Sequence, residues 1–167
     1  MIETTKYRSP IGDCLLAADA RGLVGLWFEG QKYGCPIRED MRPDSGNEIL
    51  ADTKLWLDAY FKGQKPGADQ IPLMPRGSKF RLTVWKILCE IPYGEIMTYG
   101  EIAKIIAEQN GKKVMSAQAV GGAVAHNPIS VIIPCHRVIG SDRSLTGYAG
   151  GIEKKKWLLE HEHFLFV

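Results

Sequence analysis

Long apolar runs are missing from this sequence. Nowhere in its 167 residues does an apolar stretch approach the roughly 20 residues that a membrane helix needs. The opening residues, MIETTKYRSP, also lack the apolar core of a signal peptide. We therefore expect a cytoplasmic protein that does not enter a membrane.

A strong excess of one charge is also missing. The 21 Lys and Arg residues against 19 Asp and Glu residues give a formal net charge of only +2. A nucleic-acid site must therefore be a local patch, because the chain as a whole is not a polycation. With 45% hydrophobic and 24% charged residues, the composition fits one ordinary globular domain or two small ones.

The cysteines form neither a disulfide framework nor a metal motif. Cys14, Cys35, Cys89 and Cys135 are widely scattered without a Cys-x-x-Cys pair, and no histidine precedes His126. In a reducing compartment this pattern is typical of separate thiols. We therefore expect no bound metal and no cofactor.

The first half of the chain predicts a small sheet followed by one helix. Three strands are expected, at residues 2–7, 14–18 and 23–28. An apolar stripe predicts a helix over residues 48–61. Residues 64–77 are the best linker candidate, since they contain three prolines and two glycines.

The second half predicts four helices, three of which have recognisable caps. They are expected from a Ser78 cap to residue 90, over 99–109, over 117–125 and from 152 to about 162. Thr98 and Ser116 can cap the middle two, and Glu101 completes a capping box with Thr98. This middle pair resembles a helix-turn-helix, whose second helix enters a DNA groove, although such pairs are commoner as plain packing units.

The last third contains an apolar run and a turn. Residues 131–139 are expected to form a buried strand, and the turn at 140–144 is a candidate wing. We therefore predict an α/β (α+β) fold. It consists of a small N-terminal sheet with one helix, followed by a winged-helix-like helix-turn-helix part.

Two adjacent glycines lie inside the second helix of the pair. Gly121 and Gly122 each cost about 1 kcal/mol of helix stability relative to alanine. A helix that contains such a pair usually approaches another backbone closely. That backbone is either a neighbouring helix or a nucleic acid, and the glycines alone do not decide between them.

Cys135 and His136 are the residues most able to do chemistry. A cysteine attacks as the thiolate, and a histidine that takes its proton needs an acid on its other nitrogen, for which Glu160 and Glu162 are candidates. Neighbours on a strand point to opposite faces, so contact requires a turn near Pro134 or a bridging water. A buried structural thiol and a cysteine hydrolase are the alternatives, the second without a recognisable third member.

The motifs around Cys135 resemble those of the O6-alkylguanine-DNA alkyltransferases, or methylated-DNA–protein-cysteine methyltransferases. The matching blocks are Pro92-Tyr93-Gly94-Glu95, Thr98-Tyr99, Ala119-Val120-Gly121-Gly122-Ala123, Asn127-Pro128, Pro134-Cys135-His136-Arg137-Val138, Tyr148-Ala149-Gly150-Gly151 and Trp157-Leu158-Leu159 with His161-Glu162. The likeness runs from about Phe80 to Glu162. The first 75 residues match only in architecture.

The resemblance implies a DNA repair reaction that each molecule performs once. Proteins of that family move the alkyl group from guanine O6 to their own cysteine. By resemblance, Cys135 is the acceptor, His136 is a base that acts through a water, and Glu162 orients and charge-stabilises His136. The expected partner is double-stranded DNA carrying O6-alkylguanine, with O4-alkylthymine as a second candidate substrate, and the protein is expected to be a monomer.

The resemblance also assigns the binding residues. Tyr99 would donate to N3 of the flipped base, and Asn127 would contact the backbone around the thiol. A backbone N–H in the loop with Tyr148 and Ala149 would meet O6. The second helix would lie in the minor groove and contact DNA through Gln118, Ala119, Gly121, Gly122 and Val124. Helix packing for Tyr99 and a turn role for Asn127 are the plainer alternatives.

Gln118 departs from the family pattern, which usually has an arginine at this position. Glutamine has neither the charge nor the guanidinium plane, so we expect intact chemistry with weaker or more salt-sensitive base flipping. Lys112, Lys113 and the run at residues 154–156 are candidate phosphate ligands, although such lysines are more often solvated. Arg137 is expected to bond structurally to the helix-turn-helix or to the first domain.

Two domains are implied. Residues 1–75 would form a supporting domain, and residues 76–167 would bind DNA and accept the alkyl group. The alternative is a non-enzymatic DNA-binding protein that senses alkyl damage. Sensors related to this family lack the acceptor cysteine, so the presence of Cys135 argues against that alternative.

Overall fold

The computed structural model describes residues 1–35, 39–112 and 115–163. The chain divides into two compact units. The first unit is Met1–Arg76 with Pro128–Ile132, and the second is Gly77–Asn127 with Ile133–Val167. The predicted mixed α+β class is confirmed. Among the described residues, no helix is both long enough and apolar enough to cross a membrane.

The first unit is a four-stranded sheet packed against one helix. Its strands are β1 (Ile2–Ser9), β2 (Gly12–Ala18), β3 (Leu23–Phe28) and β4 (Met41–Pro43). They lie in the order β3-β2-β1-β4, antiparallel except for the parallel pair β1–β4. Helix α1 (Glu48–Phe61) begins at Asn47, whose side chain accepts from the Leu50 amide. Leu50, Leu57 and Tyr60 of α1 are fully buried.

Residues outside the predicted strands cover the free edge of β3. The Leu23 amide donates to the carbonyl of Pro72 at 2.8 Å. The Leu26 amide donates to the carbonyl of Pro128, also at 2.8 Å, and the Leu26 carbonyl accepts from Ser130. The candidate linker at 64–77 is therefore partly attached to the sheet, and Pro128–Ile132 belongs to the same unit.

The second unit contains the helix-turn-helix. Its elements are α2 (Lys79–Cys89), β5 (Met97–Thr98), α3 (Tyr99–Gln109), α4 (Ala117–Ala125), β6 (Val138–Ile139) and α5 (Ile152–His161). The side chains of Ser78, Thr98 and Ser116 accept an amide at the start of α2, α3 and α4, as predicted. The Trp85 indole in α2 donates to the Ala123 carbonyl in α4 at 2.8 Å, which joins these two helices.

The buried strand predicted at residues 131–139 is wrong. Only β6 is extended, whereas Cys135–Arg137 forms a 3-10 turn. Val131 has a positive φ of 71°, and the Cys135 amide bonds locally to the Ile133 carbonyl at 2.7 Å. The run is apolar because it is buried. The amides of Ile132 and Cys135 bond to carbonyls two residues before them, and only Val138–Ile139 pairs with a neighbouring strand, β5.

Candidate active site

Cys135 begins the 3-10 turn and is 5% exposed. The turn that contact with His136 was expected to require is therefore present next to Pro134. Burial raises the pKa of the Cys135 thiol, while a hydrogen bond from Asn127 and the charge of Lys155 oppose that rise. The thiol is thus mostly protonated at rest and needs a base before it can attack.

Asn127 connects the end of α4 to the backbone before the thiol. It is 3% exposed, and its Nδ2 donates to the Ile133 carbonyl at 2.8 Å. The same side chain forms the hydrogen bond that lowers the pKa of Cys135. Asn127 is therefore part of the thiol's immediate environment and not only a turn residue before Pro128.

His136 is completely buried and bonded on one side only. Its Nε2 lies 2.6 Å from Oε2 of Glu162. Its Nδ1 has no hydrogen-bond partner among the described residues. Because the Glu162 carboxylate accepts the proton on Nε2, Nδ1 of the neutral ring carries a lone pair. Glu160, the other candidate acid, is exposed.

The Glu162 carboxylate, just after α5, collects four donors. Oε2 faces His136 and also accepts from Nη2 of Arg137 at 3.1 Å. Oε1 accepts from Nε of Arg137 at 2.8 Å and from the Gly94 amide at 3.0 Å. Burial alone would raise the pKa of Glu162, but the bonds and charges of His136 and Arg137 hold it far below its usual range. Glu162 is therefore an ionised carboxylate inside the unit.

Arg137 makes structural bonds, as predicted, but to other partners than the predicted ones. It is 8% exposed, and beyond its two bonds to Glu162 its Nη1 donates to the Ile91 carbonyl at 2.6 Å. Its guanidinium also lies 5.7 Å from the centre of the Tyr93 ring. The expected bonding to the helix-turn-helix or to the first domain is wrong, because these partners belong to α5 and to the turn after α2.

Lys155 is a site residue that sequence reasoning missed. It was grouped with surface lysines but is fully buried, and its Nζ donates to the Thr146 carbonyl at 3.0 Å. Burial lowers the pKa of Lys155 to about 8, although the charge of Cys135 raises it. A signal was available, because Lys155, Leu158, Leu159 and Glu162 have the i, i+3, i+4, i+7 spacing of one helix face. Lys113 of the same prediction lies outside the described residues.

Tyr99 borders an open cleft of about 500 Å³. The first residues of α3 and α4 line one side of this cleft, including Gln118 and Gly121, and the loop at 140–147 lines the other. The Tyr99 hydroxyl donates to the Thr146 carbonyl at 2.9 Å. Burial and the charge of Cys135 raise the pKa of Tyr99, so its phenol keeps its proton and is a donor at neutral pH.

The residues expected to contact DNA separate into two groups. Gln118, Ala119 and Gly122 are exposed on α4, and Gly121 is half-buried. Val124 is 3% exposed and therefore belongs to the core, so its side chain is not on the surface that was expected to meet DNA. Tyr148 and Ala149 are half-buried in the loop before α5.

The glycine pair has an asymmetric environment. A Cβ added to Gly121 would lie 3.9 Å from the Tyr99 ring, which is an ordinary contact. A Cβ added to Gly122 would meet nothing within 4 Å among the described residues. No neighbouring helix in the described part of the chain therefore requires glycine at position 122.

Two family models match the chain. The ribonuclease-like domain of 6-O-methylguanine DNA methyltransferase matches residues 2–75, and the DNA-binding domain of the same protein matches residues 79–164. The chain therefore belongs to the 6-O-methylguanine DNA methyltransferase family. The family resemblance noted in the sequence motifs is confirmed, and it extends through the first 75 residues.

Curated relatives match almost the whole chain. The methylated-DNA–protein-cysteine methyltransferase of Haemophilus influenzae is 41% identical over 163 residues, which cover 98% of this chain and 87% of the relative. A protein of the same name from Methanosarcina barkeri is 46% identical over 154 residues, which cover 92% of each chain.

Solved structures of similar proteins also match almost the whole chain. The crystal structure of the Mycobacterium tuberculosis O6-methylguanine methyltransferase is 44% identical with a TM-score of 0.80, covering 97% of this chain and 93% of that one. The M. tuberculosis protein in complex with DNA is 43% identical with a TM-score of 0.78, covering 96% and 91%.

Proposed function

We propose that this protein repairs O6-alkylguanine in double-stranded DNA by transferring the alkyl group to Sγ of Cys135, once per molecule. The observation that carries the proposal is the environment of Cys135. A buried thiol is followed in the chain by a histidine whose Nε2 is held by Glu162 and whose Nδ1 has no partner in the described residues. Family membership and one relative solved in complex with DNA support the same reaction.

The first step is removal of the thiol proton. Burial keeps Cys135 protonated, so the proton passes from Sγ through a bridging water to Nδ1 of His136. Glu162 stabilises the imidazolium that forms, because its carboxylate is ionised and 2.6 Å from Nε2. Asn127 and the charge of Lys155 stabilise the thiolate.

The second step is an in-line substitution at the alkyl carbon. The thiolate forms the S–C bond while the C–O6 bond breaks, and the electrons of that bond stay on guanine. Tyr99 meets the growing charge on the base by donating its phenolic hydrogen bond to N3. Since this hydroxyl now donates to the Thr146 carbonyl, base binding must exchange one acceptor for the other. The thioether is stable, which explains a single turnover.

DNA is proposed to lie on the exposed face of α4. The alkylated nucleotide must leave the duplex to reach a buried thiol, which costs a few kcal/mol and is cheapest for a damaged pair. Gly122 supports this placement, because nothing described in the chain occupies the space beside it. A minor-groove helix without side chains at this point can approach the sugar-phosphate backbone closely.

We also propose a role for each part of the chain and a cellular location for the protein. Residues 1–75 support the fold, and residues 76–167 bind DNA and carry the acceptor, consistent with the two matched family domains. The protein is proposed to be cytoplasmic, because none of its four cysteines, all within the described residues, forms a disulfide.

Intact mass spectrometry tests the reaction. After mixing with an oligonucleotide duplex carrying O6-methylguanine, we expect a gain of one methyl group per molecule, located on Cys135. Cys135→Ala should lose the adduct, while Cys89→Ala is the matched control and should keep it. Tight DNA binding without any adduct would instead support a damage sensor, and repeated turnover of an ester would support a hydrolase.

A further inference from the structure

Arg137 has the contacts of a residue that controls Glu162. Its Nε and Nη2 donate to the two different oxygens of that carboxylate at 2.8 and 3.1 Å. This fork-on-fork pairing fixes both the position and the plane of the acid. The same carboxylate holds Nε2 of His136. The orientation of the histidine ring therefore depends on a carboxylate that Arg137 clamps.

Arg137 is itself held from another direction. Its Nη1 donates to the Ile91 carbonyl at 2.6 Å, and its guanidinium lies against the Tyr93 ring. The Gly94 amide donates to Glu162 from the same turn. Three segments therefore meet at the Glu162 carboxylate: the turn at residues 91–94, the 3-10 turn with Cys135, and the end of α5. Arg137 lies on the 3-10 turn and bonds to both of the other segments.

The charge of Arg137 matters as much as its geometry. A carboxylate beside a histidine favours the imidazolium, and an imidazolium cannot take a proton from the thiol. The groups that face His136 are Lys155 on α5, Glu162 just after α5, and Arg137 on its own turn. Burial lowers the pKa of His136, Glu162 opposes this, and Arg137 and Lys155 add to the lowering. Without Arg137, the influence of Glu162 would be less compensated.

We propose that Arg137 is a positioning residue that acts through Glu162, holding the carboxylate against His136 and balancing its charge so that His136 stays a neutral base. This inference rests on the proposed function, since it concerns the base of that reaction. It requires nothing from DNA, because Arg137 is almost fully buried.

Single-turnover methyl transfer measured against pH tests this role. In Arg137→Gln the acid limb of the rate profile should move to higher pH by about one unit or more, the size of shift expected when a nearby charge is removed from a buried titrating group. That shift is about a tenfold loss of rate on the acid side of the limb. Arg137→Lys keeps the charge without the fork, so it should lower the rate with a smaller shift. Lys86→Gln, an exposed charge on α2, is the matched control and should leave the profile unchanged.

The outcomes separate this proposal from the reaction itself. A rate that falls equally at every pH in Arg137→Gln, with the acid limb unmoved, overturns the role of Arg137. Absence of a methyl adduct on the unaltered protein at every pH overturns the proposed function instead. If Arg137→Gln does not fold, Arg137→Lys decides. A lower rate with a small shift of the acid limb to higher pH supports the proposal, and an unchanged rate with an unchanged profile overturns it. An imidazolium at His136 in ¹H–¹⁵N spectra of the unaltered protein at pH 7 also contradicts it.

Discussion

The two units bury different kinds of polar group. In the part of the first unit that the structure describes, the buried polar residues are the hydroxyl residues Ser9, Thr53 and Ser130. Thr53 bonds to a carbonyl of its own helix. Among the described residues, every buried side chain of a charged type belongs to the second unit, namely His136, Arg137, Lys155 and Glu162. Buried hydroxyls that bond to nearby backbone cost little, whereas buried charges cost several kcal/mol unless they are paired. The first unit therefore resembles an ordinary core, whereas the second contains a buried network of charged side chains around the proposed acceptor cysteine.

Breaking the buried ion pair should give the largest effect. Glu162→Gln leaves Arg137 without its counter-charge, so we expect a loss of about 3–5 kcal/mol in the free energy of unfolding at pH 7, together with a large loss of methyl transfer. Glu160→Gln, an exposed neighbour on α5, is the control and should change neither. Urea unfolding and single-turnover assays measure both.

The pH dependence of that loss has a definite sign. Glu162 has a lowered pKa in the folded protein, so its contribution is fully present above the unfolded pKa of about 4.3 and is lost as the pH falls below it. The difference in unfolding free energy between the original protein and Glu162→Gln should therefore become smaller in acid. A gap that stays constant down to pH 3 would contradict the proposed charge pairing.

An ordinary core substitution in the first unit should separate stability from chemistry. Leu57 is fully buried in α1, so Leu57→Ala should cost about 2–5 kcal/mol of unfolding free energy through lost burial and the cavity left behind. The pH profile of methyl transfer should keep its shape well below the melting temperature. A shifted acid limb in this variant would mean that the charge network is not a property of the second unit alone.

Lys155→Met should change stability and methyl transfer in opposite directions. Methionine has a similar length and removes the buried charge, so the unfolding free energy at pH 7 should rise by about 1–3 kcal/mol. This is the order set by the lowered pKa of Lys155, less the lost hydrogen bond to the Thr146 carbonyl. The transfer rate should fall, because the Cys135 thiolate loses a nearby positive charge.

The stability gain has its own pH window. The pKa of Lys155 falls to about 8 on folding, so the unfolded state binds more protons between pH 8 and its ordinary value of about 10.4. The original protein therefore becomes more stable over this range, and the advantage of Lys155→Met should shrink. An unchanged transfer rate in Lys155→Met would exclude a role for its charge.

Gly122→Ala should also raise stability while it weakens function, but by a smaller amount. Alanine favours the helix by about 1 kcal/mol, and nothing in the described chain blocks its methyl group, so the melting temperature should rise. Binding to duplex DNA should weaken if α4 lies against the backbone. Gly121→Ala is the matched comparison, since its methyl group would face the Tyr99 ring. Equal DNA affinity in Gly122→Ala would remove the main support for this placement.

Gln118→Arg is expected to give the smallest change in the folded protein, because position 118 is exposed. One added positive charge near DNA should raise affinity and steepen the dependence of log K on log salt by about one unit. Binding measured at several salt concentrations tests this. If DNA affinity and repair rate are both unchanged, the glutamine does not explain any weakness in base flipping.

The helices could be predicted from sequence because their signals are local. The bounds predicted for α1, α3 and α4 match those observed, since a capping side chain and an apolar stripe define each one. Strand β4 was missed, because its three residues depend on parallel pairing with β1. Residues 131–139 were assigned the wrong structure, because an apolar run reports burial but not backbone direction.

The site could be predicted only in part. Family motifs led to Cys135, His136 and Glu162, and the structure brings the last two within hydrogen-bond distance; their catalytic roles stay predictions. The partners of Arg137 are separated from it by 25 and 46 residues, so no sequence pattern contained them. Lys155 was missed because a run of three lysines was interpreted by composition, without attention to helix spacing.

The covered edge of β3 limits how this protein can be divided. Pro128–Ile132 follows the helix-turn-helix in the chain, yet it hydrogen-bonds to Leu26 in the first unit. A fragment that ends at residue 76 would lack this segment and expose the backbone groups of an edge strand, which are sites for association with other chains. The first 76 residues therefore cannot be exchanged alone between related proteins. A chimaera that replaces them must also carry the Pro128–Ile132 segment that matches the new sheet.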